Sequence, residues 1–579
     1  MKRVAVIEPP FIEPGMPYPE IFRVADVLNE VGADAVPLDI NVRLFRNILN
    51  DTFSSDTLWD RLLLSFAEAY FIDYAVLQNH IANGKGAIDD ISEDLVKALS
   101  SKDILKVNAI KQETMNRFKG DSKYIDHFQY IRDIELFNAL LSYKIKEIDD
   151  AASLSMDKYS NNVDIQSSTA ILQYLNKVDN GLVLLFRRYL AKEISTWDYD
   201  GIIIVITNQT QLLPGLALAS WIKKTLKIKV TLTGDFIDDV LDRNFPEALF
   251  EHLNEVIAYR IDYSVDCWLQ NLPHENIISH PIPTYPNIRK SNSREYLCSR
   301  STFPASHLEL YFTPLPIVGA LISSRCYWSK CKFCAVACKD DHPFDYQKPE
   351  KVVENIKKLQ KENGVGYIQF MDYAMPPSIL NNFCISDGLG VFWSCQARFE
   401  KSFLKEKYFN RLFDAGCTSI SWGFETGSDK ILKNVNKGGV TDKLNRQKIL
   451  KASAEAGILN HLFVITGLPG ETDDDFIETV SFLYENINLI SGIEVYPFQL
   501  QPHTVIGRIP YVYGFKTSKK YGDWCMDLPF TGEPEKKTAI TRAKYLEETF
   551  GFVSKRSETD DCLEGHITFS RQFKGTAKS

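Results

Sequence analysis

"SSRCYWSKCKFCAVACKD", residues 323–340, gathers four of the chain's eleven cysteines between Cys326 and Cys338. Cys326, Cys331 and Cys334 stand in a C-x4-C-x2-C spacing, directly after an apolar run, "PIVGALISS", that reads as a β-strand. In a reducing compartment disulfides are rare, so clustered thiols point to metal or redox chemistry. Zinc prefers a fourth protein ligand. The nearest candidate is Cys338, on the turn that follows, and no distant Cys-x-x-Cys or His-x-x-x-His completes a zinc site. Three thiolates suit a cubane iron–sulfur cluster with one iron left open for a substrate or cofactor. Zinc and incidental thiols are the alternatives that the spacing alone leaves standing.

From residue 316 the sequence alternates strand and helix patterns. "PIVGALISS", "VGYIQFMD", "FWSCQAR", "TSISWGFE", "LNHLFVITGLP" and "GIEVYPFQLQP" read as strands. "PEKVVENIKKLQKEN", "KSFLKEKYFNRLFDAG" and "TDDDFIETVSFLYENI" read as helices between them. Six units in a row predict a partial (β/α)6 barrel over 316–504, with its site at the carboxyl ends of the strands. The irregular, aromatic and then helical stretch 505–579 is expected to be a C-terminal extension.

The first 272 residues have the same rhythm with an interruption. "RVAVIEPP", "EIFRVADVLNEVGA" and "ADAVPLDI" predict strand, helix, strand. "YDGIIIVIT", "QLLPGLALASWIKKTLK" and "IKVTLTGD" resume it. Residues 1–42 and 196–272 are therefore expected to form one doubly wound, Rossmann-like parallel sheet. The Pro-free span 43–195, helical in period, is expected to be an insertion. Ligands of such sheets bind at the carboxyl ends of the strands, where Thr207, Asn208, Thr233 and Gly234 lie. Ordinary polar loops are the competing reading. Residues 273–315, rich in Pro, Asn and Ser, read as a linker.

Composition sets the outer bounds. The 579 residues predict two to four domains. Hydrophobic content of 45% and charged content of 24% are globular values. A net charge of −9 does not suggest nucleic acid as a partner. No apolar run approaches the ~20 residues of a bilayer span, and "MKRVAVIEPPF" lacks the apolar core of a secretory signal. These features predict a cytoplasmic protein without a membrane partner.

The cysteine loop and its followers resemble the radical S-adenosylmethionine (SAM) superfamily. The usual spacing there is C-x3-C-x2-C with an aromatic before the last cysteine; Phe333 fills that place, and the first spacing is one residue longer. "IQFMDY" resembles the second strand of that family, "FWSCQARFE" the third, "AGCTSISWGFETGSDKILKNVNKG" the fourth and "FVITGLPGETDDDF" the fifth. The resemblance implies that Cys326, Cys331 and Cys334 hold a 4Fe-4S cluster. It also implies that Phe333, Asp372, Arg398, Glu425 and Gly467 frame SAM. A doubly wound sheet ahead of such a barrel resembles the cobalamin-binding subclass, with Thr207, Asn208, Thr233 and Gly234 then placed to hold the corrinoid tail. The Asp-x-His-x-x-Gly of many cobalamin domains is missing, since no histidine precedes His80.

The resemblance therefore implies a cobalamin-dependent methyl transfer to an unactivated carbon of a natural-product or peptide substrate, with flavodoxin or ferredoxin as electron donor. A cyclase, epimerase or rearrangement enzyme without methyl transfer is the second expectation. A non-catalytic metal-binding regulator is the third. The insertion is expected to cover a substrate, recognise a leader segment or serve as a plain cap. Cys395 and Cys417 are expected in the core. Cys338 is expected to be a core thiol or a redox or hydrogen-atom donor near the site; Cys525 and Cys562, in the tail, either reach the mouth of the site or do not, and His503, after the sixth strand, is a candidate to face the substrate.

Overall fold

The computed structural model describes residues 2–256 and 308–550, apart from breaks at 31, 55–56, 71, 83–90, 119–126, 157, 235, 238–247, 249–250, 254, 314–315, 324, 339–343, 345, 386–387, 503 and 518–527. The described residues fall into two compact units, one reaching from the amino terminus through residue 256 and including 308–316, the other running from 317 to 550. His503, Cys525 and Cys562 lie outside the described residues, as does most of the stretch read as a linker.

The first unit is built on a five-stranded parallel sheet in the order β2-β1-β3-β4-β5: β1 (Arg3–Glu8), β2 (Asp34–Asp39), β3 (Gly201–Val205), β4 (Lys229–Thr233) and β5 (Glu255–Val256). Helix α1 (Pro19–Glu30) crosses from β1 to β2, and α3 (Leu212–Leu226) from β3 to β4. Every residue of "GIIIV" in β3 is buried, as expected of a central parallel strand covered on both faces. The chain reverses its direction of travel through the sheet between β1 and β3, which is the switch point of a doubly wound fold.

The insertion leaves through α2 (Ile40–Asn50), capped by the Asp39 carboxylate accepting from the Val42 amide. It continues through helices including Trp59–Ala69, Ile104–Arg117, His127–Lys146 and Gly181–Tyr189. It packs on the sheet: Tyr159 stacks on Phe11, in the loop after β1, with centroids 4.7 Å apart. The described end of the stretch read as a linker is buried in the same unit. Phe312 meets Phe137 edge-on at 5.7 Å, the Tyr311 hydroxyl donates to Asp39 at 2.6 Å, and Arg46 donates to the Glu309 carbonyl at 2.6 Å. Its Pro and Ser content reads as linker, but the apolar side chains Leu308, Tyr311 and Phe312 are buried, Phe312 against the insertion.

The second unit is a six-stranded, wholly parallel sheet in sequence order: β6 (Ile317–Ala320), β7 (Tyr367–Phe370), β8 (Phe392–Ala397), β9 (Cys417–Glu425), β10 (Leu459–Thr466) and β11 (Gly492–Pro497). Outer helices α4 (Pro349–Asn363), α5 (Pro377–Ile385), α6 (Tyr408–Asp414), α7 (Lys443–Glu455) and α8 (Asp473–Glu485) alternate with the strands. The segment 505–579, read from sequence as an extension, supplies α9 (Lys536–Thr549), which packs on β10 and β11. It is the helix that a sixth β/α unit needs, separated from β11 by an aromatic excursion that hides the link in the sequence. Cys395 and Cys417 are buried in this unit. No described helix is long and apolar enough to cross a membrane.

Candidate active site

The cysteine loop follows β6 at the carboxyl end of the barrel strands. Cys331 is buried, Cys326 and Cys334 partly exposed. Burial pushes the Cys331 thiol up to about 12, against the opposing charge of Lys437. Between Trp328 and Lys332 the loop is pinned by residues 434–437. The Lys332 amide donates to the Val435 carbonyl at 2.9 Å and the Lys332 ammonium to the Asn434 carbonyl at 2.9 Å. Trp328 Nε1 donates to Asn436 at 3.0 Å, and Asn436 Nδ2 to Lys330 at 3.0 Å. Cys331 Sγ is 4.0 Å from the Lys437 carbonyl. Gly438, at φ +67°, sits so close that a Cβ there would come within 2.2 Å of the Trp328 ring. Only glycine tolerates both that backbone and that approach.

The residues named from the sequence gather around this loop, though not all as expected. Asp372 does not offer a free carboxylate. It accepts the amides of Ile322 (3.0 Å) and Ser323 (2.6 Å) and the Ser323 hydroxyl, and so fixes the entry to the cysteine loop. Burial raises its carboxyl, and the bonds from Ser323 and Ile322 oppose the rise. Arg398 is buried between Tyr327 and Trp328, its guanidinium 4.4 Å from the Trp328 ring. It donates to the Lys437 carbonyl at 2.6 Å and pairs with Glu400 at 3.1 Å, while its Nε is buried without a partner.

Glu425 ends β9 at φ +63°, where the register with β10 slips between Gly423 and Glu425, and it binds the Lys437 ammonium. Burial pulls the Lys437 pKa down, but the Glu425 carboxylate, followed by Cys331, holds it above the ordinary lysine value. Phe333 packs on an apolar cluster that includes Val435, Leu468, Phe498 and Ile506. Gly467 donates to Glu471 at 2.7 Å, and a Cβ there would come within 2.3 Å of Ala539 Cβ. The close approach for which that glycine is needed is therefore to α9. The Cys338 side chain lies outside the described residues.

Lys437 is the residue that sequence reasoning missed. It stands near the end of "AGCTSISWGFETGSDKILKNVNKG", immediately before Gly438 and Gly439, and touches Cys331, Arg398 and Glu425 together. Among the described residues no three His, Cys, Asp or Glu groups are close enough together to hold a single metal ion. Thiolates that each bind a different iron of a cubane do not have to converge on one point, so the cysteine set fits a cluster in this respect.

In the sheet unit, Thr207 and Asn208 follow β3 and are held by one side chain. The Gln211 amide oxygen accepts the Thr207 amide, the Thr207 hydroxyl and the Asn208 amide, each at 3.1 Å. Its nitrogen donates to Glu8 and to the Pro9 carbonyl. Asn208 also caps the turn that opens α3. Burial, and secondarily the charge of Asp39, pushes Glu8 well above the usual carboxylate range. Thr233 Oγ1 is buried without a partner, and a Cβ on Gly234 would come within 2.1 Å of the Ile206 carbonyl. Gln211 carried no sequence signal beyond its place on the first turn of a helix.

Residues 321–483 match the family model described as the radical SAM superfamily. A curated relative from Pyrococcus horikoshii, named uncharacterized methyltransferase PH0819, is 25% identical over 169 residues, which is 28% of this chain and 36% of that protein. The chain thus spans little more than a third of that relative. Among solved structures, the radical SAM methyltransferase TsrM from Kitasatospora setae, with cobalamin and a [4Fe-4S] cluster bound, is 13% identical over 58% of this chain and 71% of its own, at a TM-score of 0.44. HemN from Escherichia coli, a radical SAM coproporphyrinogen III oxidase, is 16% identical over 39% of this chain and 50% of its own, at a TM-score of 0.26. The likeness of this chain to the radical SAM superfamily thus rests on residues 321–483.

Proposed function

We propose that this protein is a radical SAM enzyme whose cluster is held by Cys326, Cys331 and Cys334. Its reaction is a corrinoid-dependent methyl transfer to an unactivated carbon of a small-molecule or peptide substrate, with electrons from a flavodoxin or ferredoxin. The observation that carries the reading is the three-cysteine loop, locked by Asp372 at its entry and by residues 434–437 between Trp328 and Lys332. When bound, the cluster supplies one electron that cleaves SAM to methionine and a 5′-deoxyadenosyl radical, and a corrinoid supplies the methyl carrier.

The chain's own residues bind and orient. Arg398 keeps one guanidinium nitrogen unpaired in a buried, aromatic setting, ready to donate to an anionic ligand group. Glu425 and Lys437 offer a carboxylate and an ammonium side by side, matched to the ammonium and carboxylate of an amino acid. The sheet unit supports the corrinoid part of the reading: its strand order has a switch point beside β1, and Thr233 there keeps a buried hydroxyl without a partner. The name of the Pyrococcus relative favours methyl transfer over other radical reactions.

The test is anaerobic reconstitution with iron, sulfide and hydroxocobalamin. Iron and corrinoid content are measured first, then 5′-deoxyadenosine formed from SAM under reduction. Cluster, corrinoid and deoxyadenosine together support the reading. A cluster without corrinoid removes the methyl-transfer part, and zinc without deoxyadenosine removes all of it.

A further inference from the structure

The barrel strands have two faces, and burial separates them. On β9, Trp422 meets Phe403 and Phe409, and Phe424 meets Phe482 of α8, so the even-numbered residues face the outer helices. Ser421 and Gly423 therefore face inward. On β10, Leu462 and Val464 are buried while Phe463 and Ile465 are partly exposed. On β11, Ile493 and Val495 are buried, and Glu494 and Tyr496 take the opposite, accessible face. The parallel register sets Gly423 beside Phe463 and Phe463 beside Glu494, with Ile465 beside Tyr496 one step on.

The charges on this inner face are unequal. At Gly423 the Lys437 ammonium and the Glu425 carboxylate neutralise each other. Two strands away, about 10 Å at the usual strand spacing, Glu494 has no ion pair among the described residues. Its hydrogen-bond partner is the Tyr496 hydroxyl, which donates to it. Burial raises its carboxyl, and that bond opposes the rise. A half-buried carboxylate without a cation is costly unless something pairs with it. This one lies open to the barrel interior with the Phe463 and Tyr496 rings beside it.

We propose that Glu494, with Tyr496 and Phe463, forms the substrate subsite of the barrel and takes an organic ammonium group. The carboxylate neutralises the cation, and the two rings supply an apolar and cation–π surface for its carbon skeleton. The inference rests on the barrel interior being the reaction chamber, as proposed above, and adds the chemical class of the substrate: a cationic amine. Glu494 binds at one end of the inner face, and the Glu425–Lys437 pair marks the cysteine-loop end.

The test uses the full chain, reconstituted and without reductant, titrated near neutral pH with 2-phenylethylamine and with 2-phenylethanol, its neutral analogue of similar size. The amine is expected to bind about tenfold more tightly. Glu494→Gln should erase that preference with iron content and melting temperature unchanged, and Tyr496→Phe, at a half-exposed ring, should weaken it about threefold. Equal affinity for the two probes, no amine binding at millimolar concentration, or a preference that survives Glu494→Gln overturns the proposal. Because no turnover is read, a protein that discriminates the probes but forms no deoxyadenosine would defeat the proposed reaction and leave this subsite standing.

Discussion

The cysteine loop after β6 and the Thr207–Asn208 loop after β3 occupy equivalent places, each at the carboxyl end of a parallel strand. Both are named from the sequence, yet they are built differently. The cysteine loop is held from outside, by backbone and side-chain bonds to residues about a hundred positions downstream. The Thr207–Asn208 loop spends its own polar groups on Gln211 and on capping α3. A polar residue at a strand end first satisfies the unpaired amides of the following helix. Residue type at that position therefore says little about ligands, whereas a spaced set of thiols says much.

The contrast can be broken most directly at Cys331. Cys331→Ala should reduce iron from about four per chain to below one and abolish deoxyadenosine formation. Retention of the full cluster and the parental rate would remove the cysteine loop from the site.

Glu425→Gln probes the pinning from outside. It leaves Lys437 buried without its carboxylate, at a cost of about 3–5 kcal/mol, seen as a lower melting temperature together with lost SAM binding. Glu425→Gln with Lys437→Met should recover most of the stability and none of the SAM affinity. Recovery of both would make the pair purely structural.

The matching test of the sheet unit is Gln211→Leu. Orphaning the Thr207 and Asn208 amides and Glu8 should cost roughly 2–4 kcal/mol, read by thermal melting, and should weaken hydroxocobalamin binding in titration. Unchanged stability would mean the loop holds itself.

The smallest expected effect is a pH dependence. Asp39 is pushed up to about 6, mainly by burial, against the bonds from Tyr311 and Val42. A folded-state pKa above the unfolded one gives stability that is complete below the unfolded value and lost as pH rises through the folded one. Its share, about 3 kcal/mol, should fade between about pH 4 and pH 6. Asp39→Asn, neutral throughout, should lack that part of the slope when melting temperatures are compared across the range.

Much of this organisation is legible in one sequence. "GIIIV" can hardly be anything but a central strand, and the thiol spacing with "GFETGS" and "GLPGET" behind it marks the barrel strands in order. Other features are not legible, for particular reasons. The helical period of α9 is read from the sequence but its place is not, because some forty residues separate it from β11 and periodicity does not report which strand a helix covers. Asp372 and Gly467 are named from the sequence, but the bonds to Ile322 and Ser323 and the contact with Ala539 are long-range and leave no local signal. Glu494 looks like any charged residue in an alternating strand.

Local chemistry, namely thiol spacing, strand alternation and glycine before tight turns, is written in neighbouring residues, and the sequence alone determined it: a three-thiol loop after the first strand of a partial barrel, behind a parallel sheet. Which carboxylates are neutralised, Glu425 by Lys437, and which is left facing the interior, Glu494, was decided by tertiary structure alone. Charge pairing depends on distance in space, and only the strand register brings those side chains within or beyond reach of one another.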